Sequence, residues 1–133
     1  MADRTLEVQK AIVARLKAHT GTDALVNDRV YDRPPQGVVF PYIAVDETIA
    51  IPFDAQALRG MTLVVTLHVW SRLPGAVECR AIMAAVNDAL HWHALAIEAG
   101  TLVMCRATMR RTMGDPDGIT THGVMNFDIT TDG

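Results

Sequence analysis

Histidines and cysteines are the residues in this 133-residue chain best suited to bind a metal or attack a substrate, and there are five of the former and two of the latter. His91 and His93 flank Trp92 as the tightest pair, and Cys105 and His122 are the partners that folding could bring to them. Zinc takes three or four such ligands converging at about 2 Å, and one close pair supplies only part of that set. On this reading the chain is a small metal- or ligand-binding enzyme using His91, His93 and a strand residue. The competing explanation needs no metal: a histidine at the end of a helix meets the negative pole of the helix dipole.

Other candidate chemistry is thinner. Asp115-Pro116-Asp117-Gly118 has the opening of a calcium loop but lacks its third oxygen ligand and its closing glutamate. Proline and glycine at those positions are accounted for by a tight turn. Ser71 is the only serine and has no Gly-x-Ser-x-Gly elbow around it. Cys79 falls on an apolar helical stripe, where burial would keep the thiol protonated and inert. Cys105 shares a strand face with Val103, Ala107 and Met109 and is expected to pack there. Asp46 and Glu47 are adjacent in a strand, so they point to opposite faces and cannot act together as acid and base. Gly21, Gly37, Gly60 and Gly75 are single turn residues, not a phosphate-binding loop. The expectation is a protein that is not an enzyme and carries no cofactor.

Composition narrows the class further. Half of the residues are hydrophobic and the net charge is −3, which suits a folded domain and not a dedicated nucleic-acid binder. Arg106, Arg110 and Arg111 cluster in sequence and read as a solvated strand end. Trp70 and Trp92 read as packing residues, since a base-stacking platform needs neighbouring aromatics in a basic groove. The charged N-terminus offers no signal peptide, and no apolar run approaches the ~20 residues that cross a bilayer. The expected setting is the cytoplasm at synthesis, with thiols reduced and no membrane partner.

Elements must position these residues. Arg4 to His19 predicts a helix with Leu6, Gln9, Val13 and Leu16 on one face and Ala11 and Ile12 nearby, stopped by Gly21. Pro34-Pro35 marks a loop. Pro41 to Glu47 predicts a strand. Ile49 to Gly60, broken by Pro52 and Gly60, predicts a connection with an apolar content unusual for a solvated loop. Met61 to Ser71 alternates: Met61, Leu63, Val65, Leu67 and Val69 on one face, Thr62, Val64, Thr66, His68 and Trp70 on the other. Cys79, Ile82, Met83, Val86, Ala89 and Leu90 form the stripe of a second helix ending near His91. Thr101 to Thr112 and Ile119 to Thr130 predict two strands joined by a turn at Gly114 to Gly118. The expected fold is α+β: one domain over 1–133, order α-β-β-α-β-β, with one mainly antiparallel four-stranded sheet packed against two helices.

In that order the motifs reach a family. Val30-Tyr31-Asp32 to Pro35-Gln36-Gly37, then Phe40-Pro41-Tyr42-Ile43, Leu67-His68-Val69-Trp70-Ser71-Arg72, and Asp115-Pro116-Asp117-Gly118 to His122-Gly123 form the succession. From about Leu6 to Ile129 it resembles the small tail-completion or tail-terminator proteins of siphophage-like particles and gene transfer agents. That family brings no catalytic residues. The resemblance implies a subunit of a ring, usually six-fold, that caps the tail tube and meets the head-completion (stopper) protein. DNA then passes through the lumen, and the finished location is the neck of the particle. A ring of identical subunits needs two different complementary surfaces. Ile49, Ile51, Phe53, Leu58 and Arg59 are the residues expected to supply one of them, against a neighbouring copy or partner; the alternative is that Ile51, Phe53 and Leu58 tuck under their own domain. A monomeric adaptor protein is the other reading of the same surface. A mildly acidic chain also suits a conduit that must not grip phosphate.

Overall fold

The alternation that defines the central strands survives as the core of the structure. The computed structural model describes residues 4–55, 58–97 and 102–131. Along the chain come α1 (Arg4–Ala18), α2 (Thr20–Val26), β1 (Val30–Tyr31), β2 (Tyr42–Ala55), β3 (Leu58–Ser71), α3 (Val77–Leu90), β4 (Ala94–Ala96), β5 (Leu102–Gly114) and β6 (Thr121–Thr131). The strands form one curled sheet in the order β1-β2-β3-β6-β5-β4. Leu63, Val65, Leu67 and Val69 of β3 are almost wholly buried, as are Met125, Phe127 and Ile129 of β6. The stripe of α3 covers them, with Cys79, Ile82, Val86, Ala89 and Leu90 all fully buried. Burying side chains of this size stabilises the fold by about 1.5–3 kcal/mol apiece.

Four features correct the expected fold of four strands and two helices. The sheet has six strands, and it is mixed, because β1 runs parallel to β2 through Val30↔Ile43 and Tyr31↔Ala44. Strands of two and three residues are too short for a period-two pattern to register. A third helix, α2, begins across Gly21. The chain turns at His19, whose extended backbone ends α1 and whose Nδ1 accepts from the Thr22 N–H at 3.3 Å. A side-chain cap therefore restarts a helix where glycine alone predicted a stop.

The third correction concerns Ile49 to Gly60. It is no connection: β2 and β3 continue through it as a long antiparallel hairpin, with Pro52 opposite Met61 and Phe53 opposite Gly60. Here β2 is the outermost strand of the sheet, because β1 reaches only Ile43 and Ala44. Proline is tolerated on such an edge, where a missing N–H costs no ladder bond. Fourth, the buried face of α1 is Val8, Ile12 and Leu16, each fully buried, while Leu6 stays 49% exposed. The turn at Asp115 to Thr120 is as expected, with Gly118 at φ 74 and Asp115 N–H donating to Thr120 O at 2.8 Å. Among the described residues no helix is long and apolar enough to cross a membrane.

Candidate functional site

The sheet separates the residues that a metal site would need. His91 caps α3, and its Nδ1 accepts from the Ala107 N–H at 2.9 Å. The Trp92 N–H donates to Cys105 O at 2.7 Å, so this segment is fastened to β5 by its backbone. Cys105 stands opposite Ile129 on β6, seven residues along that strand from His122. At about 3.3 Å per residue the two lie some ~23 Å apart. Among the described residues no three His, Cys, Asp or Glu come together to hold a metal. The predicted set of His91, His93, Cys105 and His122 is not brought together.

Nucleophiles fare no better. Burial pushes the Cys79 thiol up to about 11, and burial with the nearby Asp128 charge pushes Cys105 up to about 12. Neither supplies a thiolate near neutral pH. Ser71 is fully buried, and its hydroxyl donates to Glu78 Oε1 at 2.6 Å, tying the end of β3 to the first turn of α3.

The uncovered face of the sheet holds an arrangement that sequence reasoning missed. Trp70 and His122 are cross-strand partners, and their rings stack at 3.8 Å between centroids and 7° from parallel. His68, two positions before Trp70 on the same face, places its Nδ1 2.5 Å from His122 Nε2, one N–H donating to the other nitrogen. Its Nε2 lies 3.3 Å from Asp46 Oδ2. Burial, then the neighbouring His68, holds the His122 pKa below its ordinary 6.5 against the opposing pull of Asp115. An Asp–His–His chain of this kind can orient protons, but it has no nucleophile beside it. Ser71 follows Trp70 in the strand and so points to the opposite, helix-covered face. His68 and His122 are 54 positions apart. The available signal was their shared strand parity with Trp70, once β3 and β6 are set side by side.

The anticipated contact residues all lie on the long hairpin. Ile49 and Ile51 are 48% and 52% exposed. Phe53, Leu58 and Arg59 stand opposite Gly60, Ala55 and Asp54 in the backbone register, and their side chains lie outside the described residues. Among the described residues, which end at Thr131, β6 accompanies β3 as far as Met61↔Thr131. Beyond that pair, Phe53 to Ala55 and Leu58 to Gly60 pair among the described residues as a two-stranded arm. An isolated arm of this kind is marginal in water, so it gains from a surface to lie on.

Among the described residues the fold offers open strand edges and an exposed hairpin, and brings no metal-binding set together. The chain belongs to the family described as tail completion protein gp17, whose model matches residues 10–132. It is a structural tail-completion protein. The tail completion protein gp17 of Bacillus phage SPP1 is 28% identical over 130 residues, covering 98% of this chain and 94% of that one. The solved structure of bacteriophage SPP1 gp17 superposes with a TM-score of 0.67 at 24% identity, over 98% of this chain and 92% of that one. A chain in the virion of a native gene transfer agent particle shares the fold more closely, with a TM-score of 0.88 at 22% identity over 97% of both chains.

Proposed function

We propose that this tail-completion protein acts as a tail terminator. Copies assemble in the bacterial cytoplasm into a ring, six-fold as the family resemblance implies, that caps the finished tail tube of a phage-like or gene-transfer-agent particle. The far side of the ring receives the head-completion protein, and DNA passes through the lumen. No catalysis and no cofactor enter this account: the subunit works by shape.

The observation that carries the reading is the β2–β3 arm. It extends past the last pair with β6 and carries exposed Ile49 and Ile51 at its base. Among the described residues this arm has no third strand beside it, and the exposed apolar residues at its base fit a contact with the next subunit or with the tube. Ile49, Ile51, Phe53, Leu58 and Arg59 are assigned to that contact.

Particles assembled without this protein provide the test. Electron microscopy is expected to show filled heads apart from tails, with tails of irregular length. Joined particles of normal tail length in its absence would refute a terminator role.

A further inference from the structure

The two long borders of the sheet carry opposite charge at the same height. At one border Arg80 of α3 and Arg110 and Arg111 of β5 line a cleft of about 310 Å³ together with Met83 and Thr112. All three arginines are exposed, and none has an ion-pair partner among the described residues. Arg106, further along β5, is by contrast engaged with Asp128 at 3.4 Å. Three cations around one cleft repel one another unless an anion sits between them.

The other border is β2. At the bulge between Val45 and Glu47 the Asp46 side chain is 66% exposed, with its Oδ2 3.3 Å from His68 Nε2, and Glu47 follows it in sequence. The register places these borders level. Arg110 pairs with Met125, Met125 with Leu67 and Leu67 with Val45; Arg111 leads likewise through Val124 and His68 to Ala44. Both borders also have open backbone. β4 covers β5 only from Leu102 to Met104, and β1 covers β2 only at Ile43 and Ala44. Among the described residues, no strand pairs with the outer edge of β5 from Thr108 to Gly114 or of β2 from Asp46 to Ala55.

We propose that the Arg80–Arg110–Arg111 cleft of one copy receives the Asp46–Glu47 border of a second copy, edge to edge and head to tail. This rests on the ring reading above and names the surfaces that would close it. A closed ring requires two different complementary surfaces related by rotation without rise. With strands running along the ring axis, patches at equal height satisfy that condition. A nucleic-acid phosphate is the competing anion. The chain has 12 lysines and arginines against 15 aspartates and glutamates, and Arg80, Arg110 and Arg111 share one cleft instead of forming a stripe along a duplex. Arginines neutralised between subunits would also leave the lumen free of cations that hold DNA.

The experiment uses two charge-reversed proteins, Arg110→Glu/Arg111→Glu and Asp46→Arg/Glu47→Arg, with sedimentation of each alone and of their equimolar mixture. Each alone is expected to associate at least about tenfold more weakly than the parent, and the mixture to recover association. Circular dichroism of each variant checks folding. A second readout covers a misfolded variant or a parent that sediments as a monomer. An Arg111→Lys protein, mixed from 14N- and 15N-labelled batches and treated with a carbodiimide, is expected to give a mixed-isotope crosslink from position 111 to Asp46 or Glu47. Parent rings unaffected by either reversal, with no such crosslink, would overturn this contact and leave the ring standing. If the parent forms neither rings nor intermolecular crosslinks, even with tail tubes added, the ring reading falls as well. If the arginine reversal abolishes anisotropy-measured binding of a short DNA duplex while rings persist, the cleft is a phosphate site and the proposal is wrong.

Discussion

Gly123 of β6 lies so close to Met83 of α3 that a Cβ built on the glycine would stand 2.5 Å from the methionine sulfur and 2.9 Å from Cys79 Sγ. Glycine here is a spacing requirement: it lets the helix settle on the sheet at the middle of its buried stripe.

Gly123→Ala is therefore expected to destabilise the protein by about 1–3 kcal/mol, the usual range for forcing an extra carbon into a packed core. Denaturant unfolding measures it. A companion Met83→Ala change should recover part of the loss by making room, and additive losses would show that the contact is not the cause.

Both cysteines are buried, with their thiols pushed up to about 11 and about 12. A thiol reagent at pH 7.5 should leave the native protein unlabelled over a time in which the unfolded chain takes up two equivalents. Rapid labelling of either residue in the folded protein would place it in a different environment.

The His122 pKa lies below its ordinary 6.5 in the folded protein. The unfolded chain thus takes up this proton at higher pH than the folded one. Stability is unaffected by this group above about 6.5 and falls as pH drops from there towards the folded value. Urea unfolding at pH 7.5 and 5.5 should show the loss, and His122→Phe should reduce the slope while keeping a ring against Trp70. An unchanged slope in that variant would assign the pH dependence elsewhere.

Asp117 closes the β5–β6 turn. It accepts from the Thr120 hydroxyl at 2.6 Å and from the N–H groups of Thr120 and Ile119 at 2.8 Å each, and these bonds lower its pKa from 3.8 to about 2. A depressed carboxylate contributes stability above about pH 4 that is lost as pH falls towards about 2. Asp117→Ala is expected to lower the melting temperature at neutral pH and to remove that part of the acid sensitivity. A melting curve identical to the parent's would contradict the assignment.

What could be read from the residues depended on length and locality. The α3 stripe, the alternation along β3 and the Gly114–Gly118 turn were legible because each repeats a local period or uses residues with fixed dihedral preferences. β1 and β4 were not, because two or three residues carry no period and are held by backbone bonds to neighbours. Pro52 and Gly60 spoke locally for a break, yet an edge position and a facing glycine let the hairpin run through them. The resemblance supplied the family, and the hairpin supplied the place where Ile49 and Ile51 are exposed. The Asp46–His68–His122 chain was invisible because it needs the pairing of strands far apart in sequence.

The most direct test of the central claim, that this protein works through its β2–β3 arm, is the mass of the assembly formed when Pro52 to Leu58 are deleted, measured alongside thermal stability. Mixed with tail tubes, the parent is expected to form a ring at the tube end. The shortened protein is expected to form none, while its melting temperature stays within a few degrees, because the described residues removed pair only within the end of the hairpin, Ala55 with Leu58 and Pro52, Phe53 and Asp54 with Met61, Gly60 and Arg59. Rings of undiminished mass, or loss of the ring together with loss of the fold, would contradict the account.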